Sequence, residues 1–215
     1  MKVIVVANPK GGVGKSTLAT NLAGYFAARG ESVMLGDVDR QQSSRDWLGV
    51  RSAALPPISS WEIPPDQPAR PPKGTRNVII DTPAGLHGKL LDRVLKEATH
   101  VVVPLQPSLF DILATKHFLE ALREIKAVRK GELRVGVVGM RVDARTRSAQ
   151  ELERFLSSYD LPVLAHVRDS QRYVQLAARG MTLFDLSPAA QARDIGEWQS
   201  LIGWFKPTPK SAALD

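Results

Sequence analysis

The sequence predicts a doubly wound α/β domain, in which helices flank a mainly parallel sheet. Short apolar runs alternate along the chain with longer amphipathic stretches, which is the pattern of alternating strands and helices. The runs are apolar at nearly every position, as expected for strands covered on both faces of a parallel sheet. With 215 residues, 43% of them hydrophobic, the chain has the size and composition of one such domain.

The strands are predicted from apolar, mostly β-branched runs at residues 3–7, 32–38, 77–80, 100–105, 133–142 and 162–165. Between these runs, apolar residues recur at helical spacing. The predicted helices cover residues 16–29, 89–98, 112–128, 149–159, 171–179 and 188–205. Gly30 supplies a stop for the first of them. We assign residues 1–206 to the domain and expect residues 207–215 to be a flexible tail.

A proline-rich segment at residues 55–74 breaks the alternation. It holds seven prolines, a density that neither a helix nor a central strand tolerates. We expect a surface loop, partly of polyproline II character. It is either a solvated connection or a surface for self-association or a partner.

The composition excludes several classes of chemistry. The absence of cysteine excludes disulfides, zinc–thiolate sites and thiol nucleophiles. The four histidines are scattered and form no pair with metal-ligand spacing. No stretch approaches the ~18 apolar residues of a membrane span, and the apolar start leads directly into glycines and lysines rather than a cleavage site. We therefore expect a cytoplasmic protein.

The segment from Asn8 to Thr17 reads N-P-K-G-G-V-G-K-S-T, and it joins a predicted strand to a predicted helix. This is the context of a phosphate-binding loop, in which glycines let backbone N–H groups converge on phosphate oxygens. The general pattern G-x-x-x-x-G-K-[ST] has a glycine where Pro9 stands, and Lys10 is an additional lysine. The candidate nucleotide-binding residues are Lys10, Gly11, Gly12, Val13, Gly14, Lys15, Ser16 and Thr17.

This loop resembles the deviant Walker A motif of the ParA/MinD family of ATPases. Three further segments resemble family motifs in the same order along the chain, at residues 37–43, 78–85 and 103–111. The first of them departs from the family pattern, because Arg40 replaces a proline. The resemblance covers most of the chain and is nearest to the small ParA-type partition ATPases. It implies a P-loop nucleoside triphosphatase fold, with ATP and Mg²⁺ as cofactors.

Phosphoryl transfer to water by this fold needs charge neutralisation, a held Mg²⁺ and an aligned water. Lys15 is expected to reach the β- and γ-phosphates, and Ser16 to place its hydroxyl on Mg²⁺. Asp81 ends an apolar strand at the carboxyl edge of the sheet, where it can hold Mg²⁺. Asp37 is expected to support Mg²⁺ or the switch region.

The resemblance adds three roles. It implies that Asp39 orients the attacking water and that Lys10 reaches the phosphates of a partner across an ATP-sandwiched homodimer. It also places the adenine near the end of the strand at residues 133–142, where Arg141 could stack on the base or be an ordinary surface residue. The candidate catalytic residues are therefore Lys10, Lys15 and Asp39, and the candidate metal ligands are Ser16, Asp37 and Asp81.

Positive charge is concentrated in the second half of the chain. Residues 123–147 hold eight basic and three acidic residues, and the isoelectric point of the whole chain is near 9.9. Such a surface binds duplex DNA through its phosphates without reading sequence. The candidate DNA-binding residues are Arg145, Arg147, Arg168 and Arg172.

Together these features predict a ParA-type ATPase that positions a plasmid, a chromosome or another cargo on the nucleoid. We expect a cargo- or centromere-bound activator protein to stimulate slow hydrolysis. The alternative is a MinD-like membrane switch that uses residues 195–206, but this stretch lacks dense lysine and arginine and carries Glu197. We expect it to be a final helix that faces the core. A metabolic enzyme of the same superfamily is a third possibility, although its iron–sulfur reductases need cysteines.

Overall fold

The structure is a computed structural model that describes residues 1–39, 41–61, 73–159 and 161–206. The strands within these ranges are β1 Lys2–Val6, β2 Val33–Asp37, β3 Ser59–Trp61, β4 Asn77–Asp81, β5 His100–Leu105, β6 Arg134–Met140 and β7 Val163–Val167. The helices are α1 Lys15–Ala28, α2 Ser43–Val50, α3 Gly88–Leu95, α4 Leu109–Glu124, α5 Lys126–Arg129, α6 Arg147–Ser157, α7 Gln171–Ala177 and α8 Pro188–Trp204. A short 3₁₀ turn covers Leu183–Asp185.

The described strands form one parallel sheet in the order β3-β2-β4-β1-β5-β6-β7. Side chains alternate between the two faces of each strand, so Ile4 and Val6 join one core while Val3 and Val5 join the other. The first core lies under α1 and α8, and the second lies under α3, α4 and α6. This confirms the predicted doubly wound α/β fold.

The proline-rich segment was expected to be a loop, and for Ser59–Trp61 this expectation is wrong. These three residues pair in parallel with β2, from Met34 to Gly36. The strand lies at the edge of the sheet, which is the one place where neighbouring prolines leave the hydrogen-bond ladder intact. Residues 62–72 of this segment, and the tail at 207–215, lie outside the described residues.

Two helices also differ from the prediction. The helix expected at residues 112–128 begins three residues earlier and ends at Glu124, because Ile125 has extended backbone angles. A short α5 follows it. The structure also adds α2, which lies directly after the segment that contains Asp37 and Asp39.

The final helix faces the core, as predicted. Trp198 and Leu201 are fully buried, and Phe205 packs edge-to-face on Phe26 of α1. Asp194 is also buried, where it accepts hydrogen bonds from Arg168 and Arg172. Across the described ranges, no helix is both long and apolar enough to cross a bilayer.

Helix α1 is held against the turn at Leu183–Asp185 by close backbone approach. A Cβ added to Gly24 would lie 2.2 Å from Oγ1 of Thr182, so only glycine allows this contact. Beside it, the Leu183 N–H donates to Oδ1 of Asn21, at 2.9 Å. Because α1 begins in the glycine-rich loop, these contacts also fix the direction from which the helix meets that loop.

A buried histidine makes the stability of this fold depend on pH. His100 begins β5, and its ring packs edge-to-face against Trp204 and Phe205. Burial, with smaller effects of the positive charges of Arg134 and Lys2, lowers the pKa of His100 to about 4. His100 is therefore protonated near pH 6.5 in the unfolded chain but only near pH 4 in the folded chain.

We predict that His100→Phe removes this dependence. Relative to the variant, the native protein should lose up to about 2 kcal/mol of unfolding free energy between pH 7 and pH 5, since only its unfolded state gains the proton. Chemical denaturation of both proteins at the two pH values measures the difference, and all other titrating groups cancel. Parallel curves for the two proteins would contradict the prediction.

Candidate nucleotide-binding site

The glycine-rich loop connects β1 to α1 at the carboxyl edge of the sheet. Gly12 and Gly14 have φ angles of 75° and 92°, in the left-handed region that favours glycine. Gly14 precedes the first helical residue, and a Cβ there would come within 2.9 Å of Cε of Met140. The loop therefore curls at the N-terminus of α1, where backbone N–H groups and the helix dipole favour an anion.

Asn8 anchors the start of this loop. Its buried side chain donates from Nδ2 to the carbonyl of Pro104 at 2.7 Å and to Oγ1 of Thr115 at 2.9 Å. Its Oδ1 accepts from the N–H of Lys10 at 2.8 Å. Asn8 thus ties the loop to β5 and α4. Asn8 belongs to the motif but had no predicted role; its position directly after an apolar strand was the available signal.

Two further contacts hold the loop from the sides. Nε2 of Gln106 donates to the carbonyl of Gly12 at 2.8 Å, and the N–H of Gly85 donates to the carbonyl of Pro9 at 2.7 Å. Gln106 and Gly85 belong to the two later motif-like segments of the sequence. The loop and these two segments therefore meet in space, and both segments hold the loop by hydrogen bonds.

The two lysines of the loop have opposite environments. Lys15 is 8% exposed, and its Nζ donates to the carbonyl of Lys10 at 2.8 Å. Burial lowers the pKa of Lys15, against the opposing negative charges of Asp81 and Asp39. Lys10 is exposed. One ammonium group is therefore held inside the loop, while the other side chain lies on the surface.

Asp81 ends β4 and lies next to the loop. It is 1% exposed, and its Oδ1 has no hydrogen-bond partner among the described residues. Burial, reinforced by the charge of Asp37, raises the pKa of Asp81 to about 6, while the hydroxyls of Ser16 and Ser44 and the charge of Lys15 oppose the rise. A buried carboxylate oxygen without a partner is costly, and a hard divalent cation bound to oxygen ligands would satisfy it.

Asp37 was expected to support Mg²⁺ or the switch region, and its contacts in the structure lie in the segment between β2 and α2. Its Oδ1 accepts from the N–H of Asp39 at 2.9 Å. Its Oδ2 accepts from the N–H and the hydroxyl of Ser44, at 3.0 and 2.8 Å. Both oxygens thus help to hold the segment between β2 and the first turn of α2, as the switch-region alternative expects. A contact of Asp37 with Mg²⁺ stays a prediction, and Ser16, Asp37 and Asp81 remain the candidate metal ligands.

Asp39 lies in the turn between β2 and α2. Its backbone is fixed by Asp37, and its own Oδ1 accepts from the N–H of Gln41 at 3.0 Å. Gln42 completes the turn with a φ of 52°. The charge of Asp39 acts on the pKa of Lys15, so its carboxylate lies within electrostatic reach of the loop. Its role toward water stays a prediction, and Arg40 lies outside the described residues.

Arg141 follows β6 with a φ of 54°, unusual for a residue other than glycine. Its guanidinium lies 3.9 Å from the carboxylate of Asp169, which follows β7. Beside this pair is a cleft of about 560 Å³ whose lining includes Val142, Asp143 and His166. Arg141 therefore lies at the strand ends where the adenine was expected, and its contact with a base stays a prediction.

The four candidate DNA-binding arginines separate into two pairs. Arg145 and Arg147 have side chains 89% and 91% exposed, with Asp143 and Glu151 as partners. Arg168 and Arg172 instead bind the buried carboxylate of Asp194, and Arg168 also lies 3.7 Å from Glu197. The second pair holds α8 against the end of β7. Each of these guanidinium groups therefore has fewer N–H donors available for a phosphate.

The arrangement defines a P-loop nucleotide-binding domain, in which a lysine-bearing loop after one strand meets an acidic residue at the end of the neighbouring strand. The chain belongs to the CobQ/CobB/MinD/ParA nucleotide-binding domain family, whose model matches residues 4–183.

Two sequence relatives and one solved structure show which members of this family the chain is similar to. The chain is 31% identical over 189 residues to the chromosome-partitioning ATPase Soj of Thermus thermophilus, covering 73% of this chain and 76% of Soj. It is 32% identical over 190 residues to the maintenance of carboxysome distribution protein A of Gloeobacter kilaueensis, covering 85% and 83%. MinD of Pyrococcus horikoshii, solved with Mg-ADP, superposes with a TM-score of 0.70 at 16% identity over 94% of this chain and 95% of MinD. The last likeness shows the fold alone.

We predict that Asp81→Asn stabilises the protein without nucleotide at pH 8, by up to about 3 kcal/mol, since it removes a buried charge whose pKa is raised to about 6. The same variant should lose the additional thermal stabilisation that Mg²⁺ gives in the presence of ATP. Thermal melts with ATP and either Mg²⁺ or EDTA measure both effects. Asp92→Asn, at an exposed position on α3, is the matched control. An unchanged response of Asp81→Asn to Mg²⁺ would contradict the assignment.

Proposed function

We propose that the chain is a ParA-type ATPase that forms an ATP-sandwiched homodimer, binds duplex DNA without sequence preference and positions a cargo on the nucleoid. Hydrolysis separates the two subunits, and a cargo- or centromere-bound protein accelerates it. The names of the two sequence relatives support this, since one partitions chromosomes and the other maintains carboxysome distribution.

The exposure of Lys10 is the observation that carries the proposal. A triphosphate brings more negative charge than Lys15 alone compensates. Lys15 is already turned inward, onto the carbonyl of Lys10, whereas the side chain of Lys10 lies on the surface of the same loop. Lys10 is therefore available to the phosphates of a second copy. Nucleotide would then favour the dimer, because only the dimer offers both lysines to each phosphate chain.

The other residues of the site have separate roles in hydrolysis. The loop amides and Lys15 hold the phosphates, and Ser16 and Asp81 would hold Mg²⁺, which neutralises charge that develops on the phosphates. Asp39 orients the attacking water from the turn that Asp37 and Ser44 fix. Because that turn is held by hydrogen bonds rather than buried in the core, it can respond to the presence of the γ-phosphate.

DNA binding is assigned to Arg145 and Arg147. Both are almost fully exposed, and their partners Asp143 and Glu151 are surface carboxylates, with which ion pairs are weak. Exposed arginines of this kind bind phosphates without reading bases. We give Arg168 and Arg172 a structural role, because Asp194 would be left buried and unpaired without them.

We predict that Lys10→Ala binds ATP with little loss of affinity but stays monomeric, because it lacks the charge offered to the second subunit. Light scattering after size exclusion, with a slowly hydrolysed ATP analogue, measures the mass. The native protein should double in mass under the same conditions. A dimer of Lys10→Ala, equal in amount to that of the native protein, would refute the proposal.

Two controls separate dimerisation from binding and from hydrolysis. Lys15→Ala should fail to bind nucleotide at all, so it also stays monomeric. Asp39→Ala should form the dimer and hydrolyse ATP more slowly than the native protein. Lys15→Ala thus shows the behaviour expected when nucleotide binding is lost, and Asp39→Ala shows the behaviour expected when only hydrolysis is impaired. Lys10→Ala should differ from both, because it binds ATP and yet stays monomeric.

A further inference from the structure

Arg51 follows the last residue of α2, and its side chain is buried in an ion pair with Asp185. The two side chains are 5% and 0% exposed, and two hydrogen bonds of 2.7 and 2.8 Å join the guanidinium to the carboxylate. The guanidinium also donates to the carbonyl of Gly180 at 2.9 Å, and twice to that of Pro56 at 3.0 and 3.4 Å. All five of its N–H donors therefore have acceptors, which fixes the guanidinium in one orientation.

The carboxylate of Asp185 has further partners of its own. Its Oδ2 accepts from the N–H and the hydroxyl of Thr182, at 2.7 and 2.8 Å. Burial would raise the pKa of Asp185, but the hydrogen bonds from Arg51 and Thr182 hold that pKa below its ordinary value. Both members of the pair are therefore charged at neutral pH, and both are held by several hydrogen bonds.

The pair connects the two helices that border the nucleotide site. Arg51 follows α2, whereas Asp185 ends the 3₁₀ turn that Asn21 and Gly24 of α1 contact. The backbones also approach closely, since a Cβ added to Gly180 would lie 2.5 Å from Cα of Arg51. The end of α2 is therefore seated on the segment that supports α1.

Helix α2 has little buried surface of its own to fix its direction. It is eight residues long, and its buried residues are Ser44 and Trp47. A helix this short is not stable by itself in water. The hydrogen bonds from Ser44 to Asp37 hold its first turn, and Arg51 holds its other end. The direction of α2 consequently depends on an anchor at each end.

We propose that Arg51 is a positioning residue for ATP hydrolysis: through Asp185 it sets the direction of α2 relative to α1, and thereby the place of Asp39 relative to the phosphate loop. Asp39 lies in the turn before α2, where its N–H donates to Asp37. Displacing a group that aligns the attacking water slows the reaction more than it weakens substrate binding. The proposal rests on the role of Asp39 in the proposed function. It gives a use to a buried ion pair that apolar residues could often replace without loss of stability.

The test is the basal rate of ATP hydrolysis by Arg51→Lys at saturating ATP, expressed per bound nucleotide so that a smaller folded fraction does not lower it. Lysine keeps the charge but cannot make the forked contacts of the guanidinium. We expect the maximal rate to fall about tenfold. The dissociation constant of a slowly hydrolysed ATP analogue should be unchanged, because Asn8, Gln106 and Gly85 hold the phosphate loop without α2.

Arg29→Lys is the matched control. Arg29 follows the last residue of α1 and lies 5.6 Å from the ring centre of Tyr25. Arg51 follows the last residue of α2 and lies 5.5 Å from that of Trp47. The side chain of Arg29 is 55% exposed, so the same substitution there should keep the native rate. A loss in the control equal to that in Arg51→Lys would overturn the proposal.

A second measurement distinguishes positioning from a general effect on the fold. In the Asp39→Ala background, Arg51→Lys should cause little further loss of rate, because the side chain whose place it sets is absent. An equal fold-loss in the two backgrounds would overturn the proposal, since Arg51 would then act without Asp39. A native rate for Arg51→Lys would overturn it as well.

Asp185→Asn breaks the pair from the other side at nearly equal side-chain volume, and it keeps the test valid if Arg51→Lys fails to fold. It should hydrolyse ATP slowly and, like Arg51→Lys, add little to Asp39→Ala. Loss of nucleotide binding in both variants would assign the pair to the fold alone and overturn the positioning role.

Failure of the proposed function gives a different result. A native rate for Asp39→Ala would count against the role of Asp39 in hydrolysis, and the positioning role would fall with it. Slow hydrolysis by Asp39→Ala, with a native rate for Arg51→Lys and Asp185→Asn, would overturn the positioning role alone.

Discussion

The parallel pairing of β1 with β4 is the constraint on which the site depends. The register places Val6 opposite Asp81, so the loop that follows β1 and the carboxylate that ends β4 must meet at the same edge. Two groups of opposite charge, Lys15 and Asp81, are consequently buried side by side. Burial lowers the pKa of Lys15 and raises that of Asp81. Burying these two charged groups costs free energy that their contacts within the protein offset only in part. A phosphate beside Lys15 and a divalent cation beside Asp81 would supply the missing interactions.

Much of the fold and the phosphate loop could be predicted, because their signals are local in sequence. A contiguous motif marks the loop, and an aspartate directly after an apolar run marks Asp81. Strand β3 was missed because three residues among prolines carry no periodicity. The sequence left Asp37 between Mg²⁺ and the switch region, because its partner Ser44 lies on a helix that the sequence did not predict.

The charged surfaces were harder to predict for a related reason. Arg168 and Arg172 are basic residues near other basic residues, and their partner Asp194 lies more than twenty residues further along the chain. Only the docking of α8 reveals that pairing.

Mixing two inactive variants tests most directly whether each nucleotide is shared by two subunits. Lys10→Ala keeps a complete loop for its own nucleotide, whereas Lys15→Ala keeps the lysine offered to a partner. If Lys10 acts across the dimer, an equimolar mixture should form heterodimers and hydrolyse ATP faster than the two variants do separately, because one composite site per heterodimer is complete. A mixture whose dimer content and hydrolysis equal the average of the separate variants would contradict the account.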